Sequence, residues 1–292
     1  MEFEVITPKN VDELLQTIAA NQYNHFRFGA GGTDLLMELK RYPEENLTVV
    51  NLAQIQDETL RSISKTEDGW RIGALVTAAE LLDNEELKSD YHCLWEAAYN
   101  LASRQIRQVA TVGGNLCTAS PSGDIACALV ALQVRCEIMN TKGEVRSIPI
   151  NKFFTDVRQT VIQKDEVLRS ILITSPPMGE MPEGQRGLSG FIKVGTRLSM
   201  ECSVVALAFH IQKDDSGTIQ HAGIAIGSVA PTIKFTDSAC NYLNGKSELN
   251  QVEREEFAKL VSKYASPISD VRASAWYREE VLFNISKGLM EL

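Results

Sequence analysis

The stretch Ala110-Thr111-Val112-Gly113-Gly114-Asn115-Leu116-Cys117-Thr118-Ala119-Ser120-Pro121-Ser122-Gly123-Asp124 decides how the chain is read. A short β-type run enters it. Paired glycines follow, then small hydroxyl and amide residues and one carboxylate. Gly113 and Gly114 are free to take positive φ and put no Cβ in the way of an approaching backbone. Successive N–H groups in such a turn converge on an anion. Asn115, Thr118, Ser120 and Ser122 add short hydrogen-bonding side chains. A tight surface turn with polar caps is the competing reading, and the glycine pair alone does not separate the two.

A second stretch repeats the pattern. Phe28-Gly29-Ala30-Gly31-Gly32-Thr33-Asp34 follows a β-like run over residues 25–28 and precedes a helical run over residues 35–40. Thr33 or Asp34 is placed to cap that helix. A helix start behind a glycine turn suits phosphate. Two such turns in one domain predict a ligand with two linked phosphates, held from both sides, and a dinucleotide is the natural candidate.

These motifs carry a resemblance. Ala30-Gly31-Gly32-Thr33-Asp34, Gln105-Ile106-Arg107-Gln108-Val109-Ala110-Thr111-Val112-Gly113-Gly114-Asn115, Ala119-Ser120-Pro121 and Asp124 resemble the FAD-binding subunit of molybdenum hydroxylases. That family includes xanthine, carbon monoxide and nicotinate dehydrogenases. Phe191-Ile192-Lys193-Val194-Gly195-Thr196-Arg197 and Asp270-Val271-Arg272-Ala273-Ser274-Ala275-Trp276-Tyr277-Arg278 match it as well. The resemblance covers the whole chain.

The resemblance implies FAD as the cofactor of this chain. It implies contacts from Arg27, Phe28, Gly29 and the Ala30, Gly31, Gly32, Thr33, Asp34 turn, and from Ala110, Thr111, Gly113, Gly114 and Asn115. The two turns would clamp the pyrophosphate, largely through main-chain N–H groups. Arg27 falls at the adenine end in the family, although a solvated strand residue reads the same way, and Asp34 reads equally as a helix cap. Thr118, Ser120 and Asp124 would face the ribityl chain or sugar hydroxyls, with helix capping the alternative for Asp124. Gly123 stands where relatives often carry Ser or Ala. Leu101, Ala102 and Leu168 complete the implied contacts, and Lys193 matches a lysine near the isoalloxazine. Thr196 departs from the arginine common at its position, and Arg272 and Trp276 are expected to hold the terminal helix.

No molybdenum or iron–sulfur ligand set is present, so the resemblance places those groups in partners. A molybdopterin-binding large subunit and a small subunit with [2Fe–2S] clusters would deliver electrons, and NAD⁺ or another acceptor would receive them. The cysteine-rich insertion that carries a [4Fe–4S] cluster in some relatives is missing. A stand-alone FAD-dependent reductase of the same fold is the rival enzyme reading. A flavin-binding assembly subunit without electron transfer is the non-enzyme reading.

Composition narrows the classes further. The 292 residues suffice for two modest domains, and a net charge of -9 with no basic run argues against a nucleic-acid groove. No apolar stretch reaches bilayer length. Met1-Glu2-Phe3-Glu4-Val5 has neither the basic start nor the apolar core of a signal peptide, so a cytoplasmic setting is expected. The six cysteines, at 93, 117, 127, 136, 202 and 240, form no Cys-x-x-Cys pair and are expected to be free and mostly buried. A nicotinamide-type fingerprint fails, because Asp34 takes the last glycine position and Asn51 stands where the ribose carboxylate belongs.

The order of predicted elements gives the fold class. Strands at residues 3–6, 25–28 and 47–52 alternate with helices at 10–20 and 33–40, a small α/β unit over 1–56. Hairpins at 60–73 and 134–149, helices at 78–82, 94–102 and 124–132, and a strand at 167–174 predict a mixed α+β unit over 57–175. Residues 176–190, rich in Pro and Gly, read as a linker. Residues 191–292 predict antiparallel strands and then helices at 237–243, 250–264 and 273–289, the last with a stripe of Ala275, Val281, Ile285 and Leu289. The chain is thus an α+β protein, with a two-part FAD-binding domain followed by a C-terminal domain of antiparallel sheet packed with helices.

Overall fold

The computed structural model describes residues 2–21, 24–175, 187–197 and 200–289. It opens with β1 (Glu4–Ile6), α1 (Val11–Asn21), β2 (Phe26–Gly29), α2 (Leu35–Arg41) and β3 (Thr48–Asn51). The strands pair in parallel in the order β1-β3-β2, as an alternating strand–helix sequence requires. Asn10 caps α1, its Oδ1 accepting from Glu13 N at 2.9 Å.

The second unit runs through α3 (Glu58–Arg61), β4 (Ile63–Thr66), β5 (Gly69–Gly73), α4 (Ala78–Asp83), α5 (Glu85–Asp90), α6 (His92–Asn100), α7 (Arg104–Arg107), α8 (Val112–Thr118) and α9 (Asp124–Ala131). It continues with β6 (Arg135–Asn140), β7 (Val145–Pro149), β8 (Phe154–Asp156), β9 (Gln159–Thr160) and β10 (Glu166–Ile173). Its antiparallel sheet has the order β4-β5-β10-β6-β7. Residues 60–62 were expected in the first strand of this unit. Instead, the Asp57 side chain accepts from Thr59 N and Leu60 N and turns residues 58–61 into a helical turn, so β4 begins at Ile63. Thr77 starts α4 through a capping box with Glu80.

The C-terminal domain comprises β11 (Leu188–Val194), β12 (Val205–Lys213), β13 (Ile219–Gly227), β14 (Lys234–Phe235), α10 (Asp237–Leu243), α11 (Gln251–Ser262) and α12 (Ala275–Leu289). Its four strands pair in sequence order. Residues 176–186 of the expected linker lie outside the described residues, and β11 begins at Leu188, inside the stretch read as linker.

One face of this sheet carries large apolar side chains and the other small ones. Leu207, Phe209, Ile211, Ile224 and Ile226 form one core with α10, α11 and α12. Ala206, Ala208 and Ala225 join the core of the first domain through α9. Every residue of α9 is buried, as befits a helix that is apolar on all sides. The small residues bring it close to the sheet: a Cβ on Gly223 would lie 2.1 Å from the carbonyl oxygen of Ala131.

The terminal helix is anchored differently from the expectation. Trp276 is 69% exposed, and Arg272 lies at the surface 3.5 Å from Asp270. Arg278 does the anchoring: its Nη1 donates to the carbonyls of Val204 at 2.6 Å and Ser228 at 2.8 Å, and its Nη2 meets Asp270 Oδ1 at 2.9 Å. The buried stripe of α12 is Arg278, Leu282, Ser286 and Leu289, with Val281 and Ile285 only partly covered. A charged residue in a core stripe escapes a hydrophobicity search.

Gly223→Ala forces the C-terminal sheet away from α9. It is expected to destabilise the chain by about 1–3 kcal/mol, the usual range for overpacking. Denaturant unfolding of wild type and variant checks it.

Candidate functional site

The two glycine stretches meet. A Cβ on Gly31 would lie 1.8 Å from the carbonyl oxygen of Val109, so only glycine lets the first loop rest on the chain entering the second. Gly32 takes a φ of 68°, which keeps the loop turning into α2. Beside this junction opens a cavity of about 980 Å³. That is at the large end for small-molecule sites, ~300–1,000 Å³, as a dinucleotide requires.

The main-chain donors of the two loops are not equivalent. Among the described residues, the N–H groups of Gly31, Gly32, Thr33 and Asp34 donate to no protein acceptor. Asp34 occupies the N-cap position of α2, but its side chain makes no capping bond. At the second loop the donors are engaged. Val112 N–H donates to Val76 O at 2.8 Å, Gly113 N–H to Ala74 O at 2.7 Å, and Asn115 N–H to Thr111 O at 3.0 Å. Gly114 N–H meets Thr111 Oγ1 at 3.0 Å. Gly113 and Gly114 sit in the first turn of α8, not in a positive-φ turn as expected. Their glycine character serves close approach: a Cβ on Gly113 would lie 2.6 Å from Ala74 O.

Most of the residues singled out in the sequence line this cavity: Arg27 through Asp34, Leu101, Ala102, Ala110, Thr111, Gly113, Gly114, Asn115, Thr118 and Leu168. Ser120, Gly123, Asp124 and Lys193 lie outside its wall. Arg27 is not a simple solvated residue; it pairs with Glu44 at 2.7 Å and Glu38 at 3.0 Å. Ala102 holds a φ of 41°, a conformation an alanine keeps only when its surroundings impose it. Arg107 Nη1 supplies part of that constraint, gripping the carbonyls of Tyr99 and Leu101, both at 2.9 Å.

The geometry has a family. Residues 1–176 match the model described as FAD binding domain in molybdopterin dehydrogenase, and residues 191–290 match the CO dehydrogenase flavoprotein C-terminal domain. This chain belongs to the FAD-binding subunits of the molybdenum hydroxylases. The xanthine dehydrogenase FAD-binding subunit of Escherichia coli O157:H7 is 30% identical over 89% of this chain and 86% of that one. The nicotinate dehydrogenase FAD-subunit of Eubacterium barkeri is 26% identical over 99% of this chain and 95% of its own. The fold matches a chain of the carbon monoxide dehydrogenase of Hydrogenophaga pseudoflava with a TM-score of 0.88 at 23% identity, covering 98% of this chain and 95% of that one.

Within this FAD-binding subunit, sequence reasoning missed one wall. Thr160, Ile162, Gln163, Lys164 and Val167 line the cavity beside Leu168, and Arg158 reaches in from the β8–β9 turn. The strip carries no glycine motif to betray it. Glu166 holds it in place, taking two hydrogen bonds from Arg146 at 2.6 and 2.7 Å. Four cysteines are buried as expected, while Cys117 and Cys202 are exposed, both on the cavity wall.

Lys193 and Asp124 form a buried pair just behind the wall. Lys193 Nζ lies 2.6 Å from Asp124 Oδ2 and donates to Asn100 O at 3.0 Å. The pair joins β11 of the second domain to α9 and α6 of the first. Asp124 is 3% exposed, and its Oδ1 has no partner. Burial pushes its carboxyl up to about 6, although the Lys193 charge pulls the other way. The folded chain therefore binds a proton that the unfolded chain releases above 3.8, and this group lowers stability as the pH rises from 3.8 to about 6. Asp124→Asn is expected to remove that slope. The stability difference between wild type and variant, from unfolding at about pH 4 and about pH 7, should shift against wild type at the higher pH.

Proposed function

We propose that this chain is the FAD-carrying electron-transfer subunit of a molybdenum-containing hydroxylase. It accepts electrons from [2Fe–2S] clusters of a partner small subunit. They originate at a molybdopterin-binding large subunit and leave to NAD⁺ or another acceptor. The observation that carries this reading is the run of unengaged main-chain donors at Gly31, Gly32, Thr33 and Asp34, on the wall of a cavity of about 980 Å³. Family membership over both domains supports it.

When bound, FAD supplies the exchange between single electrons and electron pairs that such a junction needs. The chain's own contribution is positioning and charge. The 31–34 donors would hold the pyrophosphate, and the closely packed Gly113–Ala74 contact holds the opposite wall. Thr118, on the cavity wall, would offer a hydroxyl to the sugar portion. Leu101 and Ala102 form a rigid edge, because Arg107 and Lys193 between them bind the carbonyls of Tyr99, Asn100 and Leu101. Lys193 holds the Asn100 carbonyl behind that edge, its charge offset by Asp124 2.6 Å away. A cytoplasmic setting suits six cysteines that form no disulfide. Among the described residues, no helix is long and apolar enough to cross a membrane.

Purified chain should be yellow and release FAD on acid treatment. Gly31→Ala should be colourless yet folded, because the added Cβ would displace the donor loop from Val109. Visible absorption, cofactor identification and circular dichroism decide. Bound FMN would exclude the pyrophosphate contact, and a colourless wild type that refuses added FAD would end the flavin reading.

A further inference from the structure

The β8–β9 hairpin turns through Val157 and Arg158, and Arg158 holds a left-handed φ of 56°. A bulky side chain adopts that conformation only when its surroundings impose it. Here the constraint is visible. Arg158 N–H donates to the carbonyl of Ala119 at 3.1 Å, and Ala119 is itself the left-handed C-cap of α8. The hairpin tip is thus fastened to the end of the helix that the second glycine motif begins.

From that fixed point the guanidinium crosses to the start of α2. Its Nη1 lies 3.3 Å from Glu38 Oε2 and its Nη2 lies 3.6 Å from Asp34 Oδ1. Arg158 and both acids line the cavity. Ion pairs tie together the charged groups at this mouth. Three carboxylates, Asp34, Glu38 and Glu44, face two guanidiniums, Arg27 and Arg158, with His25 beside Glu44 at 2.7 Å. Arg27 is already shared between Glu38 and Glu44. Among the described residues, Arg158 is the one cation paired with Asp34.

Asp34 is the last residue of the unengaged donor run, so an uncompensated carboxylate there opposes the anion those donors would attract. We propose that Arg158 is a positioning residue for the dinucleotide. It neutralises Asp34 and Glu38 from across the cavity and thereby makes the 31–34 donors available to a pyrophosphate. The inference rests on the FAD reading and adds to it a residue outside both glycine motifs. It assigns the hairpin tip a role in phosphate affinity and leaves the flavin ring to other parts of the wall.

The test is titration of the cofactor-free full-length chain with FAD, ADP and riboflavin, followed by fluorescence or calorimetry. Arg158→Gln is expected to weaken FAD and ADP by about three- to fivefold, the scale of one half-exposed, solvent-screened charge, and to leave riboflavin unchanged. Arg158→Lys should fall between the two. Added salt should narrow the gap between wild type and Arg158→Gln. Replacing the acids as well, in Arg158→Gln with Asp34→Asn and Glu38→Gln, should recover FAD and ADP affinity. Wild-type affinity in Arg158→Gln overturns the inference. So does an equal loss for riboflavin, which marks a merely structural effect, and so does failure of the acid replacements to recover binding. A wild type that binds neither FAD nor ADP overturns the flavin reading and this inference together, whereas the other outcomes leave the flavin reading standing.

Discussion

The cavity depends on one main-chain approach, Gly31 against the carbonyl of Val109. It locks a parallel α/β unit to the mixed unit that follows, at a distance no side chain permits. The cavity exists because the loop after β2 and the loop between α7 and α8 are held at this junction. Among the described residues, the donors of the first loop meet no protein acceptor. Those of the second loop are spent on Ala74, Val76 and Thr111, which fixes that loop as a rigid wall. One side of the cavity is therefore a donor array and the other a brace.

A second constraint brings in the C-terminal domain. Ala206, Ala208, Gly223 and Ala225 leave room for α9, and α9 begins at Asp124. The same approach delivers Lys193 on β11 to Asp124 and to the carbonyl of Asn100, beside the Leu101–Ala102 edge. Glu96 reinforces the seam, its Oε2 accepting from Phe191 N–H at 2.7 Å. Leaving one buried carboxylate oxygen without a partner has a cost. Among the described residues, neither charge has another ion-pair partner, and removing either one strands the other.

Much of this was legible in the chain itself. The α/β unit followed from strand and helix signals in alternation, and the caps Asn10 and Thr77 sit where a short polar residue precedes a helical run. Local chemistry misled at residues 60–62, where the Asp57 side chain outcompetes strand propensity. The terminal helix misled for another reason: a buried residue of its first turn is Arg278, whose guanidinium donates to the carbonyls just before β12 and just after β13. Such partners are remote in sequence and leave no local trace.

Most elements, the family and the two glycine loops could be read along the chain. These rest on short-range causes: φ preference, capping, apolar period and motif spacing. Only the tertiary structure decided which loop keeps its donors, that Asp124 and Lys193 sit behind the cavity wall, and that Arg158 and the residue 160–168 strip complete it. Each of these depends on which groups from distant segments come within hydrogen-bonding or ion-pairing distance. That is set by packing of whole layers and not by any neighbour along the chain.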